Sequence, residues 1–225
     1  MVLFPAFQAI DVFGRLVVLN ILALQRPLHT SLLSSTLEPV STKPTVMNVS
    51  GSNFCEPIVP THTFDAPLED LVVLFVPGGI ETRGEALVAP AVEFVGKMYP
   101  RLGYLVSVCT GATIVAKTGL LFLTVASWVQ LHSKFDHLHY SALAYQPLIG
   151  NSPGPNANWI PQARWVADGN IWSSPGVSTG IDVAYAFIAA LYWDDVAGGI
   201  ANSSDCVRWL DPNYDPFAAV WNVMK

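Results

Sequence analysis

One stretch of this chain turns an apolar strand directly into a helix through a single reactive side chain. It runs Tyr104-Leu105-Val106-Ser107-Val108-Cys109-Thr110-Gly111-Ala112. The β-branched run closes at Val108, Cys109 follows, and a helical face opens with Ala112, Val115 and Ala116. A strand that enters a helix through so tight a turn holds the turn side chain above the sheet, as in a nucleophile elbow. It also demands a helix packed back on that strand, which points to an α/β fold. The helix N-terminus beneath the thiol favours the thiolate and lowers its pKa. The same residues would also suit a buried structural cysteine. The rest of the chain bears on that choice.

Met1 to Phe4 reads as a central parallel strand, buried on both faces. A helix is expected over about Val12 to Leu24, with Asp11 at its start. Asp11 is then either the N-cap or a site carboxylate at the carboxyl end of the first strand. Short extended segments are expected between Arg26 and Val40 and at Thr45 to Val49. A strong strand, Asp70 to Val76, runs into Pro77-Gly78-Gly79-Ile80. Glycines there can turn backbone N–H groups toward an oxyanion, or simply make the turn into the helix expected from Glu81 to Met98. The helix after Cys109 should stop at Gly119. Ala163 to Ser174 reads as a hairpin about Asp168-Gly169. Helices follow from Ser178 or Thr179 to about Tyr192 and from Asp194 to Leu210, then an extended proline-rich tail. This alternation implies one domain over residues 1–225, an α/β sandwich with a mostly parallel sheet.

Composition narrows the function. The chain is 52% hydrophobic and 12% charged, with a formal net charge of −6 and no basic run. Nucleic acid is therefore not expected as a partner. No apolar run reaches the roughly 18 residues of a membrane span; the longest, Val12 to Leu24, is broken by Gly14, Arg15 and Asn20. The mean hydropathy of +0.41 leaves apolar surface that a subunit interface could cover. Cys55, Cys109 and Cys206 are odd in number and far apart, which fits neither a disulfide framework nor a zinc site. A reducing, cytoplasmic setting is expected, with no signal peptide, no metal and no cofactor. Neither a dinucleotide fingerprint nor a Walker loop is present.

Taken in order, Leu3-Phe4-Pro5-Ala6-Phe7 with Asp11 and Gly14, Val76-Pro77-Gly78-Gly79, Val108-Cys109-Thr110-Gly111-Ala112 and Gly176-Val177-Ser178-Thr179-Gly180-Ile181-Asp182 form a combined pattern. It resembles the ThiJ/PfpI superfamily (class I glutamine amidotransferase-like), in particular its isonitrile hydratase-like and fungal members. The resemblance implies a flavodoxin-like three-layer sandwich with a nucleophile elbow, usually homodimeric. It implies that Cys109 is the nucleophile and Asp11 the acid that hydrogen-bonds it. Gly79 and Thr110 would supply oxyanion-type donors, with Gly78 and Ile80 lining the same loop and the Thr110 hydroxyl near a small-molecule substrate. Several positions depart from the family pattern, among them Phe122 and Leu123, which replace a polar turn. Arg15 and Val17 replace a proline and a second acid after Asp11, and Val129 stands where many members carry a histidine, leaving His132 as the nearest alternative.

The leading expectation is a cysteine-dependent hydratase or hydrolase acting on a small electrophilic carbon, an isonitrile by resemblance. An oxidation-sensing stress protein built on Cys109 is the alternative, and a ligand-binding module is the third.

Overall fold

The computed structural model describes residues 1–45, 48–121, 125–127, 158–160 and 162–220. In chain order the elements are α1 (Ala9–Ala23), β1 (Leu33–Ser34), β2 (Val40–Ser41), β3 (Pro57–Ile58), β4 (His62–Thr63), β5 (Val73–Val76), α2 (Glu85–Met98), β6 (Tyr104–Val108), α3 (Gly111–Lys117), β7 (Val125–Ser127), β8 (Asn158–Ile160), β9 (Val166–Asp168), β10 (Ile171–Ser174), α4 (Thr179–Tyr192), α5 (Asp194–Ser203) and α6 (Pro216–Val220).

Met1 to Phe4 threads between two strands, as its unbroken apolar character demands. The Val2 N–H donates to the Phe75 carbonyl at 2.9 Å and the Leu3 N–H to the Leu33 carbonyl at 2.7 Å. On one side lies β1, paired in parallel with β4. On the other, β5, β6 and β10 run parallel, with Val76 opposite Ser107 and Val108 opposite Ser174. β9 closes the edge as the antiparallel partner of β10. The expected hairpin is present, and Gly169 takes a φ of 58° at its turn. Cys109 thus leaves the carboxyl end of a central strand, where α/β sheets place their sites.

Two helical layers cover the sheet. α1, α4 and α5 pack on one another through Val18, Leu22, Tyr185, Ile188 and Ile200. α2 and α3 contribute Val88, Phe94, Val95, Ile114 and Val115 to the main core. The result is the flavodoxin-like α/β sandwich expected. Among the described residues no helix is long and apolar enough to cross a membrane.

Phe187 of α4 anchors its layer. Its ring meets Phe75, Tyr104 and Trp172 edge-on, at centroid distances of 6.1, 5.1 and 5.4 Å. Phe187→Ala should lower stability by about 3–5 kcal/mol in urea unfolding, through lost burial and the cavity left behind.

Several boundaries differ from expectation, each for a local reason. α1 begins at Ala9, so Asp11 sits inside its first turn and is not the N-cap. The helix expected from Glu81 is a 3-10 turn, Ile80–Arg83, that ends at an extended Gly84 before α2 begins. Thr45 and Asn48 to Val49 form no strand; Val46 and Met47 lie outside the described residues. α5 stops at Ser203, where the Ser204 hydroxyl donates to the Ile200 carbonyl and Asp205 turns left-handed at a φ of 51°. The tail is not wholly extended. Asp215 Oδ1 accepts the Phe217 N–H at 3.3 Å, and Pro216 opens α6, an N-cap and N1 pair.

Candidate active site at the β6–α3 elbow

Cys109 is held in the left-handed region, at a φ of 54°. A non-glycine residue there stores strain of order 1–3 kcal/mol, which the surrounding structure must hold. The Cys109 N–H donates to the Ser174 carbonyl at 2.9 Å, tying the elbow to the end of β10. From the other side the Pro77-Gly78-Gly79 loop lies flush against it. A Cβ added to Gly78 would fall 2.7 Å from the Thr110 nitrogen and 2.8 Å from Cys109 Cβ. Only glycine allows that approach.

The loop brings Asp11 to the elbow. Asp11 is wholly buried, and its Oδ2 accepts the Gly78 N–H at 2.8 Å across 67 residues of sequence. Its Oδ1 has no hydrogen-bond partner among the described residues. Burial raises the Asp11 carboxyl to about 6, against the opposing pull of Arg15 and of the Gly78 hydrogen bond. Since this lies above the ordinary value of 3.8, the folded state binds more protons than the unfolded chain between the two values. The Asp11 contribution to stability therefore falls as pH rises through about 6.

The thiol behaves differently from the sequence expectation. Burial pushes Cys109 up to about 12 and the neighbouring Asp11 charge adds to it; the Thr110 amide and hydroxyl, and Arg83, pull the other way. Desolvation is the largest of these influences, and α3 after the thiol has only seven residues. At neutral pH the pair therefore holds its proton on sulfur while Asp11 is ionised. The expected Cys109–Asp11 hydrogen bond is not formed: Oδ2 is taken by the Gly78 N–H and Oδ1 has no partner among the described residues.

The amides expected to cradle an oxyanion have partners of their own. Gly78 donates to Asp11, Gly79 donates to Thr110 Oγ1 at 2.9 Å, and Ile80 donates to the Ala6 carbonyl at 3.2 Å. The Thr110 hydroxyl in turn donates to the Gly79 carbonyl at 3.0 Å. This loop thus fixes the carboxylate and the threonine; the Thr110 amide, near the sulfur, is the donor left at the nucleophile. Phe122, Leu123, Val129 and His132 lie outside the described residues. Among those described, no cluster of His, Cys, Asp and Glu could hold a metal ion.

In the sequence Arg15 stands out as a departure from the family pattern and a break in an apolar run, with no role in the site. The structure buries it completely, one turn after Asp11, in electrostatic contact with both Asp11 and Cys109. The i,i+4 spacing of an acid and a base on one helix was the available signal.

Comparison with known proteins bears on the family and the fold. A family model described as DJ-1/PfpI matches residues 1–190. The isonitrile hydratase of Pseudomonas putida is 26% identical over 196 residues, spanning 87% of this chain and 72% of that protein. A ThiJ/PfpI family protein from Pseudomonas syringae superposes with a TM-score of 0.69 at 24% identity, over 100% of this chain and 82% of its own. Drosophila melanogaster DJ-1beta superposes with a TM-score of 0.66 at 16% identity, over 92% and 96%.

Proposed function

The chain belongs to the DJ-1/PfpI family, and on that premise we propose that it is a cysteine-dependent hydratase or hydrolase acting on a small electrophilic carbon. Isonitriles are the substrate class proposed, by likeness to the Pseudomonas putida isonitrile hydratase. The observation that carries the reading is Asp11, a buried carboxylate raised to about 6 and fixed by Gly78 beside the elbow thiol.

In this reading the Cys109 sulfur bonds to the isonitrile carbon as its proton passes through Asp11 to that same carbon. The product is a thioformimidate. Water then adds to its carbon, with Asp11 taking the water proton and returning it to nitrogen. The carbon–sulfur bond breaks, releasing an N-substituted formamide and restoring the thiol. The net change is addition of one water. Thr110 supports charge that develops at the reacting carbon, as an oxyanion-type donor worth about 3 kcal/mol does elsewhere.

Asp11 must be ionised to accept the thiol proton. The rate should therefore fall about tenfold per pH unit below an apparent pKa near 6 and stay level above it through neutral pH. A kcat/KM profile on a converted isonitrile checks this. The reaction itself is tested with a panel of alkyl and aryl isonitriles, following formamide by mass spectrometry. Absence of formamide from every member, with Cys109 still open to alkylation, sinks the hydratase reading.

Half-burial of Cys109 favours a second reading, oxidation of its sulfur as the physiological event. A selective gain of two oxygens at Cys109 under mild peroxide, with no turnover, would support it. The protonated resting thiol makes it the weaker of the two.

A second copy of this chain is the partner we propose. α1 presents Ile10, Phe13 and Val17 at 40, 41 and 50% exposure, three and four residues apart on one face. Val17→Glu should convert a sedimenting dimer to monomer; a wild-type monomer at micromolar concentration removes the proposal.

A further inference from the structure

α1 buries a cation beside the site. Arg15 has 0% exposure, and none of its guanidinium nitrogens has a hydrogen-bond partner among the described residues. A guanidinium carries five donors, and leaving them unpaired in the interior is heavily unfavourable. Packing alone does not call for it: the other buried side chains of α1 beyond Asp11 are Val12, Val18 and Leu22. An aliphatic side chain would suit the same face.

Its position is fixed from α4. A Cβ added to Gly180 would lie 2.5 Å from Arg15 Nη1 and 2.7 Å from Val108 Cγ1. The guanidinium and the residue that precedes Cys109 thus both border the space left open at Gly180. Two further buried polar atoms close to the elbow lack partners among the described residues, Asp11 Oδ1 and Ser174 Oγ. Ser174 pairs with Val108 in register, and its carbonyl holds the Cys109 N–H. A cation, a carboxylate and a hydroxyl therefore gather at the root of the elbow.

We propose that Arg15 is a positioning residue for the Cys109–Asp11 pair, a fixed buried cation that stabilises negative charge on the Cys109 sulfur while Asp11 is ionised. With Arg15 present, a thiolate and a carboxylate share the site with one positive charge. Without it, two anions face each other unbalanced. Burial lowers Arg15 only to about 10, and Asp11 and Cys109 both hold it up, so it stays charged at neutral pH. Coupling between two charges is reciprocal: a thiolate that favours the guanidinium is favoured by it equally. Two other ionisable groups face this set. Arg83, from the 3-10 turn, also favours the thiolate. The Met1 amine is pushed down to about 5 by burial and Arg15, and is neutral at pH 7.

The inference rests on Cys109 and Asp11 as the reactive pair, but not on any substrate. Its test is therefore alkylation, not turnover. In a Cys55→Ser, Cys206→Ser background, the iodoacetamide rate at Cys109 is followed by intact mass as a function of pH. Arg15→Met should displace the curve toward higher pH by at least about one unit, a tenfold slower reaction at fixed pH. Arg15→Lys, which keeps the charge, should restore at least half of that displacement. The same comparison between Asp11→Asn and Asp11→Asn/Arg15→Met covers the case in which Arg15→Met leaves Asp11 too unbalanced to fold. Superimposed curves within both pairs overturn the proposal, as does a lysine variant displaced as far as the methionine one. A failed isonitrile panel leaves this displacement untouched, so the two readings fail separately.

Discussion

Cys109→Ala is expected to lower kcat/KM on any converted isonitrile by at least about a thousandfold, because the covalent route disappears with the sulfur. Substrate binding and Thr110 remain in such a variant, so residual catalysis over water would survive. The fold should survive too. Alanine tolerates the left-handed backbone of this protein at Ala6, whose φ is 54°, the same as at Cys109. The hydrogen bond from the residue 109 amide to the Ser174 carbonyl does not depend on the side chain. The lost thiol was half-buried and neutral at rest, so stability should change by no more than about 1 kcal/mol. Steady-state kinetics and urea unfolding on the same preparation separate the two effects. Retention of a tenth or more of wild-type turnover would exclude Cys109 as the attacking group. Asp11→Asn should be less severe, since the amide oxygen can still accept the Gly78 N–H while proton transfer is lost.

The elbow was legible in the sequence because each of its parts is local. A β-branched run, one cysteine and a helical face occupy consecutive residues from Tyr104 to Ala116. The hairpin was legible for the same reason, since Asp168-Gly169 encodes its turn. What could not be read depends on contacts between distant residues. Asp11 looks equally like an N-cap or a site acid until Gly78, 67 residues away, donates to it. The Gly78, Gly79 and Ile80 amides look free in sequence, and their partners come from three other segments. The thiol shows the conflict most directly. A local rule, helix N-terminus below a cysteine, predicts a thiolate; burial by the whole fold pushes the thiol up instead. Arg15 was visible as an oddity, but its meaning depends on Gly180 and Val108, which only the packing of α4 on β6 brings together.

A loss of stability as large as that of Phe187→Ala is expected from Arg164→Ala. Arg164 is 7% exposed, and its Nε and Nη2 donate to Asp182 Oδ2 at 3.0 and 2.6 Å. Its Nη1 donates to Asp215 Oδ1 at 3.0 Å, and its guanidinium lies 5.4 Å from the centroid of the Trp209 ring. The Trp209 N–H donates to the other oxygen of Asp182 at 3.1 Å, and the Arg164 N–H donates to the Pro212 carbonyl at 2.8 Å. One guanidinium thus fastens the tail from Trp209 to Phe217 to the first turn of α4. Asp182 and Asp215 are only 6% and 3% exposed, so alanine at 164 would leave two buried carboxylates without their cation. Breaking a buried pair in this way costs about 3–5 kcal/mol. Lysine restores the charge but not the planar fork, and should recover about half of the loss. Urea unfolding of the three proteins at neutral pH checks this. An alanine variant within 1 kcal/mol of wild type at neutral pH would show that the tail is held by its apolar contacts instead.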